Sequence, residues 1–427
     1  MALPRLLPVH QKLPSHALKD VAGEVHRQLA SAGFAARVSS GARIAIGAGS
    51  RGISNISTIV RAVVDYWREA GCNPFIFPAM GSHGAATAEG QALVLSHYGI
   101  DEATMACPVL SSIDVVSLGR TADGIEAFMD RNAFSSDAVM LVGRVKPHTD
   151  FAGAIESGLC KMTAIGVGKF AGARQYHTFA YRLGMEHVVR TVCRQVLASG
   201  KLLGGLAILE DGLHQTAAVE AVPADTMEAR EEELLARAKA WMPRIPVSRL
   251  DLLIVNEIGK NFSGTGMDAK VINRSIDGEL NCWPGEKIRI ERVFVRGLNE
   301  NSYGNGVGIG MADVTHDRVL AAIDWNATWI NSLTASTPAG SRIPMHFASD
   351  RECIERIALT VGKLDLSEVT IGWIQNTLEL SGLMLSENLR EEIEGNPNLE
   401  IVGPPHPVEF DAAGNLAGSP LRAVQAV

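Results

Sequence analysis

The sequence predicts an α/β protein of two α/β domains with mainly parallel sheets and an active-site cleft between them. Three observations lead there. At 427 residues the chain exceeds the roughly 250–300 residues that a single hydrophobic core holds. Short apolar runs alternate with Gly-rich turns and stretches of helical spacing, which is the pattern of parallel strands covered by helices. A hydrophobic content of 46%, a charged content of 20% and 42 glycines describe a globular chain rich in turns.

After a partly helical N-terminal arm, "ARIAIGAGSRG" reads as a strand entering a turn. The next segment, "ISNISTIVRAVVDYWREAG", carries Ile56, Ile59, Val60, Val63 and Trp67 at helical spacing. "NPFIFPAMGSHGAATAEGQALVLSHYG" repeats the scheme, with a strand ending near Ala79 and a helix from about Thr87. A strand is expected near Ile113–Leu118, another in "SSDAVMLVGRVKPHTD", and one long helix from about Ala171 to Ser199. A second α/β run begins at "KLLGGLAILEDG" and includes "RLDLLIVNEIGK", "KIRIERVFVRGL" and "TIGWIQNT". The boundary is therefore expected near residues 200–205, giving domains 1–202 and 203–427. The tail from Gly403 reads as irregular.

A net charge of −8 provides no basic field to gather phosphates, which argues against nucleic acid or an anionic membrane as partner. The six cysteines form no CxxC pair and no metal-ligand spacing, as in free thiols of a reducing compartment. "MALPRLLPVHQKLP" places prolines where a signal peptide needs an apolar helix, and no apolar run approaches about 18 residues. A cytoplasmic protein is expected.

Ligands of open parallel sheets sit beyond the carboxyl ends of the strands. Here three strand-end loops carry Ser50-Arg51, Ser82-His83 and Lys146-His148. "GAGSRG", Gly47–Gly52, matches the dinucleotide fingerprint, but the next strand ends without the acid that grips a ribose. A tight turn offering backbone N–H groups to another anion, with Arg51 adding a guanidinium, fits better. His83 lies among glycines, which let a ligand approach the backbone, and His148 comes after Pro147 at a strand end. Lys161 stands in an apolar setting, where burial would lower its pKa and make it nucleophilic. His177 sits beside Tyr176 early on a helix. Cys160 next to Lys161 has no separate support as a nucleophile. In the second half, Lys260 occupies a Gly-rich loop after a strand, from which it could reach an acidic substrate.

This ordered set resembles the lactate racemase family, the nickel-pincer nucleotide enzymes: a strand-end Ser-Arg turn, then "GSH", then "KPH", then a lysine, then a histidine sixteen residues on. The resemblance runs over roughly residues 15–400 and is firmest from Gly47 to His177. It implies a racemase or epimerase of 2-hydroxy acids whose cofactor is pyridinium-3,5-bisthiocarboxylic acid mononucleotide with nickel, delivered by cofactor-synthesis enzymes. It implies that His83 and His148 are the two acid/base residues on opposite faces of the substrate. Lys161 would hold the nucleotide, with Gly49 and Ser50 as further cofactor-binding positions, and His177 would be the axial nickel ligand. Arg51 and Lys260 would orient the substrate carboxylate. The loop between His148 and Lys161 is a few residues longer than in the lactate enzyme, which leaves open whether Lys161 tethers the nucleotide covalently. Thr149, Asp150 and Glu156 make the loop more polar, which directs the expectation to a larger, hydroxylated acid. Two alternatives stay open: a nicotinamide-dependent 2-hydroxy acid dehydrogenase built on "GAGSRG", and a non-catalytic nucleotide- or cofactor-binding protein.

Overall fold

A computed structural model describes residues 2–49, 52–417, 421 and 424. The chain divides into two compact units, Ser15–Met242 and Met1–Pro14 with Pro243–Val427. This corrects the expected division at 202/203. The strands Leu202–Glu210 and Thr216–Pro223 complete the first sheet, the former pairing in parallel with Ala138–Arg144, so hydrogen bonding keeps them with the preceding residues. The N-terminal arm begins as a strand, Leu6–Gln11, paired on both sides by Gly382–Ser386 and Leu399–Ile401. That ties the first residues to the last third of the chain.

In the Ser15–Met242 unit, the five-stranded sheet runs in the order Asn73–Pro78, Arg43–Ala48, Ala138–Arg144, Leu202–Glu210, Thr216–Pro223. The first four are parallel and the last is antiparallel. The strands are apolar on both faces because both are covered. Ile44, Ile46, Met140, Val142, Leu206 and Ile208 enter one core with the helix Ile56–Glu69. Ala45, Val139, Leu141, Ala207 and Leu209 enter the other with the helices Met185–Leu197 and Met227–Trp241. In Ile56–Glu69 the expected stripe of Ile56, Ile59, Val60, Val63 and Trp67 is buried. The expected strand near 113–118 is instead one arm of an antiparallel hairpin, Val115–Arg120 with Glu126–Asp130, outside the parallel sheet. The expected long helix is two, Lys169–Leu183 and Met185–Leu197, broken at Gly184 with φ +81°.

In the other unit, the eight-stranded sheet runs Met345–Phe347, Val314–His316, Arg289–Val295, Arg249–Val255, Ile371–Ile374, Gly382–Ser386, Leu6–Gln11, Leu399–Ile401. The first five strands are parallel and the remaining joins antiparallel.

Both sheets share one topological device. From Arg43–Ala48 the chain moves outward to Asn73–Pro78 and then returns to Ala138–Arg144 on the other side. From Arg249–Val255 it moves outward through three strands and returns at Ile371–Ile374. Successive connections leave such neighbouring strand ends in opposite directions, which opens a crevice there. The loops beyond Ala48 and Arg144 flank the first crevice, and those beyond Val255 and Ile374 flank the second. No helix among the described residues is long and apolar enough to cross a membrane.

Candidate active site

The first loop leaves the strand at Ala48. A Cβ on Gly47 would lie 2.6 Å from Leu141 and 2.9 Å from Phe77, so the sheet face itself demands glycine there. The Gly49 N–H, expected to face a cofactor, donates to Val142 O at 3.2 Å and is committed to the sheet. Ser50 and Arg51 lie outside the described residues. The backbone from Gly52 to Ser54 is anchored: Arg144 at its strand end donates to Gly52 O and pairs with Glu210, whose Oε1 accepts the Ser54 N–H at 2.7 Å.

The second loop carries His83, half-buried. Gly81, at φ +60°, donates to Gly166 O, and a Cβ there would meet Ile165 at 3.1 Å. This loop therefore rests on the turn just past Lys161. After His83 come three residues in the left-handed region, Gly84, Ala85 and Ala86, at φ +62°, +54° and +57°. The two alanines cost about 1–2 kcal/mol each in that region, so neighbouring structure must enforce the turn. The strongest attachment is one that sequence reasoning missed. Lys169 is fully buried; its Nζ donates to Pro78 O at 2.8 Å and to Gln91 Oε1 at 2.7 Å, and lies 3.4 Å from Asp130 Oδ2. Burial pulls the Lys169 ammonium below the ordinary lysine range and pushes the Asp130 carboxyl up. The available signal was a lysine among glycines and apolar residues in "IGVGKFAG".

The third loop, from Val145, closes on itself through paired backbone bonds between Lys146 and Ser157. Glu156 is fully buried and organises it, accepting the His148 N–H at 2.5 Å and the Gly153 N–H at 3.1 Å. Lys239 Nζ reaches Glu156 at 2.6 Å and Gly153 O at 2.8 Å. Glu156 is thus a loop-building carboxylate, which corrects its reading as a substrate group. The His148 ring packs against Phe151 with centroids 4.5 Å apart and the planes tilted by 33°, and Lys161 Nζ lies 5.8 Å from the same ring centre. His148 Nδ1 accepts the Asp150 N–H at 3.1 Å, so the neutral ring carries its proton on Nε2.

Lys161 ends the short turn Leu159–Lys161 and leads into the π-turn Met162–Gly166, a local widening common at functional sites. The turn is held from below by Glu231, buried, which accepts the Cys160 N–H at 2.7 Å. Desolvation pushes the Glu231 carboxyl up to about 7. A hydrogen bond to Cys193, with burial, pushes the Cys160 thiol far up. His177 is lowered to about 4 by desolvation and then by the charge of Lys161. It is a neutral imidazole at physiological pH. No group of three His, Cys, Asp or Glu side chains among the described residues could hold a metal ion.

His148, Lys161 and His177 are therefore brought into one neighbourhood beside the crevice, linked by Phe151 and by the field of Lys161, and the His83 loop rests on the same π-turn. Helix Met227–Trp241, expected to belong to the second domain, supplies both Lys239 and Glu231 to this site. Lys260 lies in the other unit, in the loop beyond Val255. Its Nζ donates to Gly264 O at 2.6 Å, and its N–H donates to Ser302 Oγ.

The fold and these strand-end loops define a class: a doubly wound α/β domain with imidazole and amine groups gathered beyond the carboxyl ends of its strands. Residues 10–185 match the family model of the lactate racemase N-terminal domain. Among solved structures, the chain is similar to the lactate racemase apoprotein from Thermoanaerobacterium thermosaccharolyticum. The two are 14% identical, over 88% of this chain and 99% of that one, with a TM-score of 0.49. Comparison with curated protein sequences gave no match.

Proposed function

We propose that the protein is a racemase or epimerase that inverts C2 of a 2-hydroxy acid, by hydride transfer to and from a nickel-pincer nucleotide. The observation that carries this reading is the grouping of His148, Lys161 and His177 through Phe151 and the Lys161 charge beside the crevice. The donor set fits such a group. His177 offers a neutral imidazole nitrogen, which suits nickel. With no three-residue protein cluster among the described residues, the remaining donors would come from the nucleotide. Lys161 would hold that nucleotide through its amine.

The C2–H of a 2-hydroxy acid is too weakly acidic for simple proton removal. The cofactor, when bound, supplies a hydride acceptor that can return the hydride to either face of a planar 2-keto acid. The chain's own residues handle the proton. His148 and His83 take the hydroxyl proton and give it back, one for each enantiomer. Arg51 is assigned the substrate carboxylate, for which a guanidinium fork is suited. Asp150 favours a substrate with further hydroxyls, of the aldonate kind; Glu156 no longer supports that preference, since its oxygens are used within the loop. The cofactor would come from cofactor-synthesis enzymes.

The test is a panel of 2-hydroxy acids incubated with cofactor-loaded protein in ordinary and in deuterated water. Inversion without solvent deuterium at C2 is expected, fastest with an aldonate. Deuterium gained at C2 would overturn the hydride route, and preference for lactate would overturn the substrate class. Nicotinamide oxidation with a 2-keto acid would mark a dehydrogenase instead, and cofactor binding without turnover a carrier.

A further inference from the structure

We propose that Gln91 and Lys169 are positioning residues that hold His83 through the carbonyls of its own turn. The Gln91 side chain is fully buried and its Nε2 donates to Gly81 O at 2.8 Å and to His83 O at 3.3 Å. Its Oε1 accepts from Lys169 Nζ, which also donates to Pro78 O, the last residue of the strand that feeds this loop. One ammonium thus links the strand end, the His83 turn and, through its own backbone, the helix Lys169–Leu183 that bears His177.

Simple stabilisation does not explain this arrangement. Burying an ammonium against Asp130 takes two charges out of water, and an apolar pair of similar volume is commonly as stable or more so. Lys169 also adopts φ +55°, a region unfavourable for a lysine. What the lysine adds is geometry. The left-handed run Gly84–Ala86 would relax unless its entry were fixed, and the His83 carbonyl is fixed twice, by the Ala86 N–H at 3.2 Å and by Gln91. Close approach completes the clamp: a Cβ on Gly84 would lie 2.5 Å from the Gln91 backbone nitrogen. The segment preceding the helix Ala88–His97 is thus packed directly on the Gln91 backbone, with no room for a side chain at Gly84.

The proposal rests on His83 being an acid/base residue, and its test separates the two ideas. Gln91→Glu keeps an acceptor for Lys169 and removes both donors to the loop. Paired Lys169→Met and Asp130→Asn substitutions remove the buried charges together. In either variant, hydrogen exchange of amides 81–86 should accelerate about tenfold, with the strand Ala138–Arg144 unchanged. In cofactor-loaded protein kcat for C2 inversion should fall about a hundredfold with little change in KM, as expected for a misplaced proton-transfer group. Parental exchange in 81–86 would overturn the clamp, and faster exchange with parental kcat would overturn its positioning role. If the parent inverts no 2-hydroxy acid, the functional reading fails, and the exchange comparison alone decides whether the clamp exists.

Discussion

Gly158→Ala tests how the Lys161 turn is supported. Gly158 has φ 177°, extended backbone that alanine adopts freely, so the substitution acts only through the space its methyl needs. That methyl would lie 2.4 Å from Glu231 Oε1, 2.5 Å from its carboxyl carbon and 2.8 Å from Oε2. Glu231 is 1% exposed and has little room to retreat. Either the carboxylate stays and the core is overpacked, or it moves and abandons the Cys160 N–H. Overpacking costs about 1–3 kcal/mol, and a hydrogen bond to a charged group contributes about 1.5–3 kcal/mol. Only one of the two is incurred, so the expected destabilisation is about 1–3 kcal/mol. For a unit of this size that lowers Tm by roughly 2–12 °C. Scanning calorimetry of Gly158→Ala, Glu231→Asp and the pair measures it. The shorter acid should recover part of the loss, so the double variant should be less destabilised than the two singles added. A Gly158→Ala protein that melts with the parent, or strictly additive singles, would refute the claim that Glu231 props this turn.

The same geometry sets four further outcomes. His148→Ala should lower C2 inversion by about a hundredfold or more with Tm nearly unchanged, because the ring packs on Phe151 in a loop whose backbone is held by Glu156; substantial residual turnover removes it as an acid/base. For His177, the unfolded imidazole takes up a proton near pH 6.5 and the folded one only near 4, so stability should fall as pH drops through that window. His177→Asn should flatten this limb in urea titrations and should lower nickel retention. Glu231 has the opposite sign: its folded carboxyl binds a proton up to about pH 7 against 4.5 when unfolded, so its contribution is lost as pH rises from 4.5 through 7. Glu231→Gln keeps an acceptor for Cys160 and should remove that slope. Lys239→Met should destabilise by roughly 1–3 kcal/mol, because the partly exposed ammonium leaves a fully buried Glu156 that still holds the His148 and Gly153 N–H groups, read as a lower denaturation midpoint and faster exchange in 148–156.

Strands buried on both faces, such as Ala138–Arg144, were legible in the sequence because a covered parallel sheet demands unbroken apolar runs. The helix Ile56–Glu69 was legible because its buried stripe repeats at helical spacing. The positions of His83 and His148 were legible as strand ends leading into Gly- or Pro-bearing loops. Pairing partners were not. Nothing local in "KLLGGLAILEDG" distinguishes a strand that opens a new sheet from one that completes the old, and the division at Met242 is decided by hydrogen bonds to Ala138–Arg144. Nor does a turn-rich stretch announce where a helix breaks: Gly184 interrupts a run whose side chains remain compatible with one long helix.

The sequence by itself determined the α/β class, the strand-end placement of His83 and His148, and the residue types gathered between Gly47 and His177. These come from periodicity and composition, which act over a few residues. Only the tertiary structure decided that Glu156 builds its loop, that Gly49 gives its N–H to Val142, that Lys239 and Glu231 come from helix Met227–Trp241, and that Lys169 grips the His83 turn through Gln91. Each of those depends on a buried polar atom finding its partner, and the partner of Lys169 at Gln91 is 78 residues away. A buried charge must be paired wherever the fold brings an acceptor, and sequence distance places no bound on where that is.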